Sequence, residues 1–398
     1  MTFNDTKEKK SSSLVKTSKN CKRFLLIQLN SNGDCLYATA VAHQIKVDYP
    51  DCHLTWAISS MCRRILDLNP HIDEIWEIPL SKIEDLSTIW PEFEKEAWKR
   101  KANGDFDEIF ITQFIPGYPE NYDGLIRSSI FRGYPKPIQV PVTPIIRLSY
   151  EEVRRVNNFI NQHKINENKY VILFECSPKS DQSFVNIDFA LEVSNKIIGR
   201  YNSNMCIILS SNVKIPNANN CIIDGSALSL RENAELVKYC NLLIGCSSGI
   251  TWITTSDWGK KIPMVQLLKA QPIWFASIVQ DHRQWELPVD HIIEITECSS
   301  ETVTDCITAI IEDNFEEARL RYAQDLVPTL NAYGYILRNM LIKLKLRKSI
   351  KLVNNHVARH GRKKLIEWHI EKAKLFFPNL IKRQINFIKK IVKKILIP

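Results

Sequence analysis

Along this chain, short apolar runs are closed by polar turns and then followed by stretches of helical period. Phe24 to Leu29 is one such run, Asn30 to Asp34 its turn, a helix follows to about Lys46, and a second strand lies near Thr55 to Ile58. That succession is a βαβ unit. LNPHIDEIWEIPL supplies a turn and a third strand (Glu74 to Ile78), Trp90 to Lys101 reads as a charged surface helix, and GDFDEIFIT as a further strand. The composition then changes to YPKPIQVPVTP, where Pro135, Pro137, Pro141 and Pro144 disfavour helix and predict an extended interdomain linker. Ser149 with Glu152 starts a capped helix bearing Val153, Val156, Phe159 and Ile160 on one face. The alternation resumes with strands at Tyr170 to Phe174, Cys206 to Ser210, Cys221 to Asp224, Leu242 to Gly245, Pro263 to Leu268 and His291 to Ile295. The pattern predicts an α/β protein of two doubly wound, Rossmann-like domains: leader 1–22, N-terminal domain 23–134, linker 135–148, C-terminal domain 149–325 and a helical basic tail 326–398.

Charge divides the chain in a way its net value of +9 conceals. Ile336 to Pro398 holds 18 Lys/Arg against 2 Asp/Glu, Met1 to Arg23 holds 7 against 2, and Phe24 to Tyr335 holds 28 against 40. An acidic body with basic ends directs a polyanion or an anionic membrane to the tails. The segment PNLIKRQINFIKKIVKKILIP places Ile381, Ile385, Ile388, Val392 and Ile395 at steps of four and three, opposite Lys389, Lys390, Lys393 and Lys394. It reads as a basic amphipathic helix for a membrane surface, with packing on the body or RNA binding as the alternatives. The leader lacks a signal peptide's apolar core, and the 11 cysteines show no Cys-x-x-Cys or Cys/His spacing. The expectation is a cytoplasmic protein, peripheral at the inner face of the cell membrane, without metal or cofactor.

Two turns carry candidate chemistry. LSLRENAELVKYCNLLIGCSSGITWI reads as a helix (Arg231 to Tyr239), a buried strand and the turn Gly245-Cys246-Ser247-Ser248-Gly249 before another helix, which suits a phosphate or is an ordinary strand-to-helix turn. Asn-Gly-Asp sets the Asp34 carboxylate at the C-terminal end of the first strand, where open α/β sheets bind ligands, or where it caps a helix. Asp105 and Asp107 form a D-x-D pattern without further ligands nearby, read as a solvated strand entrance.

Taken in order, Phe24 to Ile295 resembles the bacterial ADP-heptose:lipopolysaccharide heptosyltransferases, glycosyltransferase family nine, which have the two-Rossmann GT-B fold. QLNSNGDCLYATAVAHQIKVDYP is similar to the family's opening strand, Gly-Asp turn and helix, and LNPHIDEIWEI to its Asn-Pro-x-Ile-Asp segment. The resemblance implies that Asp34 is the catalytic base, with Asn32 and Gly33 on the acceptor side. LSLRENAELVKYCNLLIGCSSGITWI resembles the segment that receives the donor diphosphate at an Asp-(Ser/Thr)-Gly-x-x-His turn; Ser248 and Gly249 agree, Ser247 replaces aspartate and Trp252 replaces histidine. Arg231 stands where the family often has a ribose-binding glutamate. ECSPKSDQSF aligns with its phosphate loop through Ser177, with Gln182 at the lysine position and Lys179 the nearest cation.

The implied activity is inverting, metal-independent transfer from a nucleotide-diphospho-sugar, the donor substrate, to a glycan or lipid-linked acceptor, with no nucleic acid expected. A sugar-nucleotide epimerase and a degenerate, non-catalytic binding subunit are the rivals.

Overall fold

β1 (Arg23–Ile27) runs from an exposed arginine into four buried residues, and the chain turns at the far end into α1 (Asn32–Asp48). In the computed structural model, residues 21–179, 181–201 and 204–376 are described; the first 20 residues of the leader and the amphipathic segment after Phe376 lie outside them. β2 (His53–Ser59), β3 (Glu74–Ile78), α2 (Leu86–Ala102), β4 (Glu108–Ile111) and α3 (Ile126–Phe131) complete the N-terminal lobe. Its strands are all parallel, in the order β3-β2-β1-β4. Asp107 is used structurally, its carboxylate accepting the Arg23 N–H at 2.7 Å.

The second lobe comprises α4 (Tyr150–Gln162), β5 (Tyr170–Glu175), α5 (Ile187–Tyr201), β6 (Met205–Ser210), β7 (Ile222–Asp224), α6 (Asn233–Leu236), β8 (Leu242–Gly245), α7 (Gly249–Thr254), β9 (Met264–Leu267), α8 (Ile278–Gln284) and β10 (Ile292–Ile295). Its parallel strand order is β10-β9-β8-β5-β6-β7, the doubly wound order with its reversal between β5 and β8. Near-continuous Val/Ile/Leu runs make strands covered on both faces, which is why the sequence pattern locates them well. α9 (Ser300–Glu312), α10 (Phe315–Tyr322), α11 (Asn331–Ile342), α12 (Leu346–His360) and α13 (Arg362–Phe376) follow. The helix predicted from Arg231 is shorter, because Glu232 folds back to accept the Ser229 N–H at 2.6 Å and holds the segment before Asn233 as a turn.

The proline-rich segment is stapled along its length. Four N–H groups are removed by proline, and four of those that remain in 135–148 find partners on both lobes: Gln44 Oε1 accepts Gln139 and Val140 at 2.7 and 3.1 Å, Thr39 Oγ1 accepts Ile145 at 3.0 Å, and Asp257 accepts Ile146 at 3.0 Å.

Beside it, Arg231 is buried and all five of its N–H groups are engaged. Nε and Nη2 meet the Glu152 carboxylate at 2.7 and 3.0 Å, Nη2 also donates to Arg147 O, and Nη1 donates to Arg64 O and Asp67 O at 3.0 and 3.2 Å. One guanidinium thus joins the N-terminal lobe, the linker and α4. Burial raises the Glu152 carboxyl, but Arg231 and the Ser149 N–H overcome it and hold it at about 2.

Arg231→Leu strands that carboxylate, and the expected loss is about 3–5 kcal/mol in urea unfolding, with Glu152→Leu in the same chain recovering most of it. Because the folded value lies below the ordinary 4.5, the clamp's stability is present above about 4.5 and is lost as pH falls toward 2. A loss under about 1 kcal/mol, or an acid limb unchanged in the variant, would show that Arg231 does not hold the lobes together.

Candidate active site

Both expected turns lie at the strand-order reversals of their sheets, and they face each other. In the N-terminal lobe, Gln113 beyond β4 turns its Oε1 back to accept the Leu29 and Asn30 N–H groups at 2.9 and 3.0 Å, fixing the end of β1. Ser31 then caps α1 and Asp34, in its first turn, completes a capping box with a long 3.5 Å contact from the Ser31 N–H. Asp34 is half-buried, and burial pushes its carboxyl from 3.8 up to about 7 against the weak pull of that bond. A carboxylate near 7 sits where a general base works best at neutral pH.

Across from it, α7 presents its first turn. A Cβ at Gly249 would lie 3.3 Å from Asn32 Cβ, and one at Gly33 would press on Trp252 Cδ1 at 3.2 Å, so the N-termini of α1 and α7 abut. Trp252 is buried against Tyr37, ring centroids 4.6 Å apart, and Arg127 from α3 lies 4.5 Å over the Tyr37 ring. Arg127 also pairs with Asp281 of α8 at 2.9 Å. Burial lifts Asp281 to about 6, opposed by Arg127 and Arg359. This joint between lobes rests on α3 and α8, short helices whose sequences carry no strong period, so the sequence reading passes over Arg127 and Asp281.

The Gly245–Gly249 turn is held by side chains from neighbouring strands. Glu175, the last residue of β5, accepts the Cys246 N–H at 2.9 Å and the Thr251 hydroxyl at 3.0 Å, and also binds the Ser248 hydroxyl. Burial raises its carboxyl and these bonds lower it, leaving a net rise. Gln266 of β9 accepts the Ser247 N–H at 2.9 Å. A Cβ on Gly245 would come within 2.4 Å of Gln266 Nε2 and 2.5 Å of Thr251 Oγ1, so glycine is required there by close approach. Ser247 sits at φ 50. The N–H groups of Ser248 and Gly249 have no acceptor among the described residues. A polar residue inside an apolar strand run, as in YVILFE and PMVQLL, is the signal that marks Glu175 and Gln266.

The structure therefore brings Asn32, Gly33, Asp34, Ser248, Gly249 and Trp252 together. Ser177 is half-buried with Oγ accepting the Asn212 N–H at 3.2 Å, Lys179 is exposed, and Gln182 is partly buried, its carbonyl accepting the Lys269 N–H at 2.9 Å. Arg231 is the correction: its donors are spent on the interlobe clamp, so none is left for a ribose. Among the described residues no three His, Cys, Asp or Glu are grouped to hold a metal ion.

The fold is of the GT-B type. A glycosyl transferase family 9 structure from Veillonella parvula DSM 2008 superposes with a TM-score of 0.50 at 15% identity, covering 73% of this chain and 90% of that one. ADP-heptose LPS heptosyltransferase II from E. coli gives 0.47 at 13% identity, covering 73% and 98%. A UDP-N-acetylglucosamine 2-epimerase from Listeria monocytogenes gives 0.46 at 8%, covering 80% and 96%. No protein-family profile and no curated protein sequence matches the chain. The likeness to the family 9 structure bears out the two-lobed architecture that the sequence resemblance implies.

The raised Asp34 value fixes a sign. Below the unfolded value near 4 the group's contribution to stability is complete, and it is lost as pH rises through about 7. Urea unfolding of the parent against Asp34→Asn should show the parent losing ground between about pH 4 and 7 and a constant difference above that window. A difference that is flat from pH 5 upward would return Asp34 to an ordinary carboxylate.

Proposed function

We propose that this protein is an inverting, metal-independent glycosyltransferase that moves a sugar from a nucleotide-diphospho-sugar to a hydroxyl of a glycan or lipid-linked acceptor. The observation that carries the reading is Asp34, a half-buried carboxylate raised to about 7 in the first turn of α1, whose neighbours Asn32 and Gly33 approach the α7 turn of the other lobe. In this mechanism Asp34 takes the acceptor hydroxyl's proton as that oxygen bonds to the anomeric carbon. The bond from that carbon to the diphosphate breaks, and the nucleotide diphosphate leaves with the electron pair. Attack from the face opposite the leaving group inverts the anomeric centre.

The Ser248 and Gly249 N–H groups, at the positive end of α7, are the donors assigned to the diphosphate, with Ser177 and Lys179 on the adjoining loop. Glu175 lies directly beneath.

A binding subunit without catalysis is the second reading, favoured by Trp252 filling the interlobe joint and by Glu175 occupying the Cys246 N–H group. A thermal-shift screen with nucleotide-sugars separates the two. Saturation at 100 times Kd stabilises by about 2.7 kcal/mol, a rise in Tm on the order of a few °C. With the donor in hand, Asp34→Asn should lower turnover roughly 10²–10⁴-fold and leave donor affinity intact, whereas Ser248→Glu should weaken donor binding in a folded chain. Turnover within a few-fold of the parent in Asp34→Asn removes the base from the mechanism. No stabilisation by any nucleotide-sugar supports the binding subunit.

A further inference from the structure

The last helices return to the lobe that carries Asp34. α12 packs on the turn Pro119–Asn121 that follows β4: Lys348 Nζ lies 2.9 Å from Glu120 Oε1 and 4.6 Å over the Tyr118 ring, and Asn355 Nδ2 donates to Glu120 O at 2.7 Å. Arg359 meets the buried Asp123 carboxylate at 2.7 Å. The turn between α11 and α12 is therefore fixed to the N-terminal lobe. Its backbone is ordered too, with Leu344 N–H donating to Leu341 O at 3.0 Å and Lys345 N–H to Met340 O at 2.9 Å.

What this fixed turn shows to solvent is unusual. Residues 341–347, LIKLKLR, are all exposed, with Ile342 at 68%, Leu344 at 81% and Leu346 at 61% of full accessibility, and Ile350 one turn along α12 at 62%. Lys343, Lys345 and Arg347 alternate with them, and none makes an ion pair among the described residues. From Leu326 to Ile366, 41 residues contain ten Lys/Arg and no Asp/Glu.

We propose that this tip, Leu341 to Arg347, is a docking surface for an anionic lipid bilayer. Exposed leucine and isoleucine in a contiguous patch need an apolar partner, and the interleaved cations need an anionic one. A membrane interface offers both at once, apolar side chains entering the headgroup boundary while lysine stems reach to the phosphates. Other covers fail on charge. Residues 377–398 carry six Lys/Arg and no acid, and a second copy of this chain would bring the same basic tip. A single-stranded nucleic acid would match the cations and leave the leucines uncovered. The surface would present the acceptor lobe to lipid-linked molecules; that purpose rests on the proposed transferase reading, whereas the docking itself does not.

The test is sedimentation of the full chain with vesicles of phosphatidylglycerol and phosphatidylcholine, without donor or acceptor, so its failure is separate from any failure at Asp34. The parent should bind these vesicles, bind pure phosphatidylcholine weakly, and weaken without vanishing from about 0.1 to 0.5 M salt. Leu344→Ser with Leu346→Ser should lower the partition constant roughly tenfold or more, and Lys343→Gln with Lys345→Gln roughly fivefold per charge on anionic vesicles alone. Melting curves matching the parent confirm that exposed positions were changed without loss of fold. The proposal is overturned if the parent fails to sediment, or if the leucine variant is recovered like the parent, which would assign binding to residues 377–398 or to charge alone. Displacement of the parent from vesicles by a poly-adenosine strand, with the leucine variant holding that strand equally well, would make the tip a polyanion site and overturn it too.

Discussion

A single buried guanidinium sets the relation between the lobes, and the candidate site inherits its geometry from that relation. Arg231 has no hydrogen-bonding capacity to spare: two donors go to Glu152, one to the linker at Arg147, and two to carbonyls of the N-terminal lobe. Burying a charge this deeply costs several kcal/mol unless every polar atom is matched, so the three chain segments around it must keep their spacing. The Arg127–Asp281 pair repeats the device about the other joint, with aromatic rings of Tyr37 and Trp252 as its cover. An aromatic pair of this kind adds on the order of 1 kcal/mol beyond the area it buries.

Much of the fold is legible in the sequence because parallel strands buried on both faces are written as apolar runs with little else in them. Leu242 to Gly245 and His291 to Ile295 are found within a residue of β8 and β10 for that reason. The Ser149 capping box is legible because both of its bonds are local, Glu152 N–H to Ser149 Oγ at 3.2 Å and Ser149 N–H to Glu152 Oε2 at 2.8 Å. The second task of Glu152, receiving Arg231 from 79 residues away, is not local and leaves no period behind. The same holds for the site. Asp34 and the Gly245–Gly249 turn are marked by turn chemistry, whereas Glu175, Gln266, Arg127 and Asp281 act across elements that only the folded chain brings together.

Glu175 alters the physical meaning of the turn beside it. In sequence, Gly-Cys-Ser-Ser-Gly before a helix offers a cluster of free N–H groups to an anion. In the structure, a buried carboxylate of the protein has already taken Cys246 while Gln266 has taken Ser247, leaving fewer backbone donors for a ligand. An unmatched N–H in this interior would cost about 1–3 kcal/mol, so the internal partners stabilise the empty turn and narrow what a ligand can use.

α1 ties these constraints to chemistry. Its first turn carries Asp34, its middle carries Tyr37 against Trp252 and Thr39 against the linker, and its last turns carry Gln44, which holds two further linker N–H groups. The helix is therefore held to the opposite lobe through Tyr37 and to the connection between lobes through Thr39 and Gln44. A shift of the Asp34 carboxylate of even 1 Å relative to α7 would have to carry the whole helix, breaking several buried bonds together. Positioning of a reacting group to that tolerance is worth orders of magnitude in rate. Bonds that appear structural at Thr39 and Gln44 thus bear on the base at Asp34, because a rigid helix transmits them to its first turn.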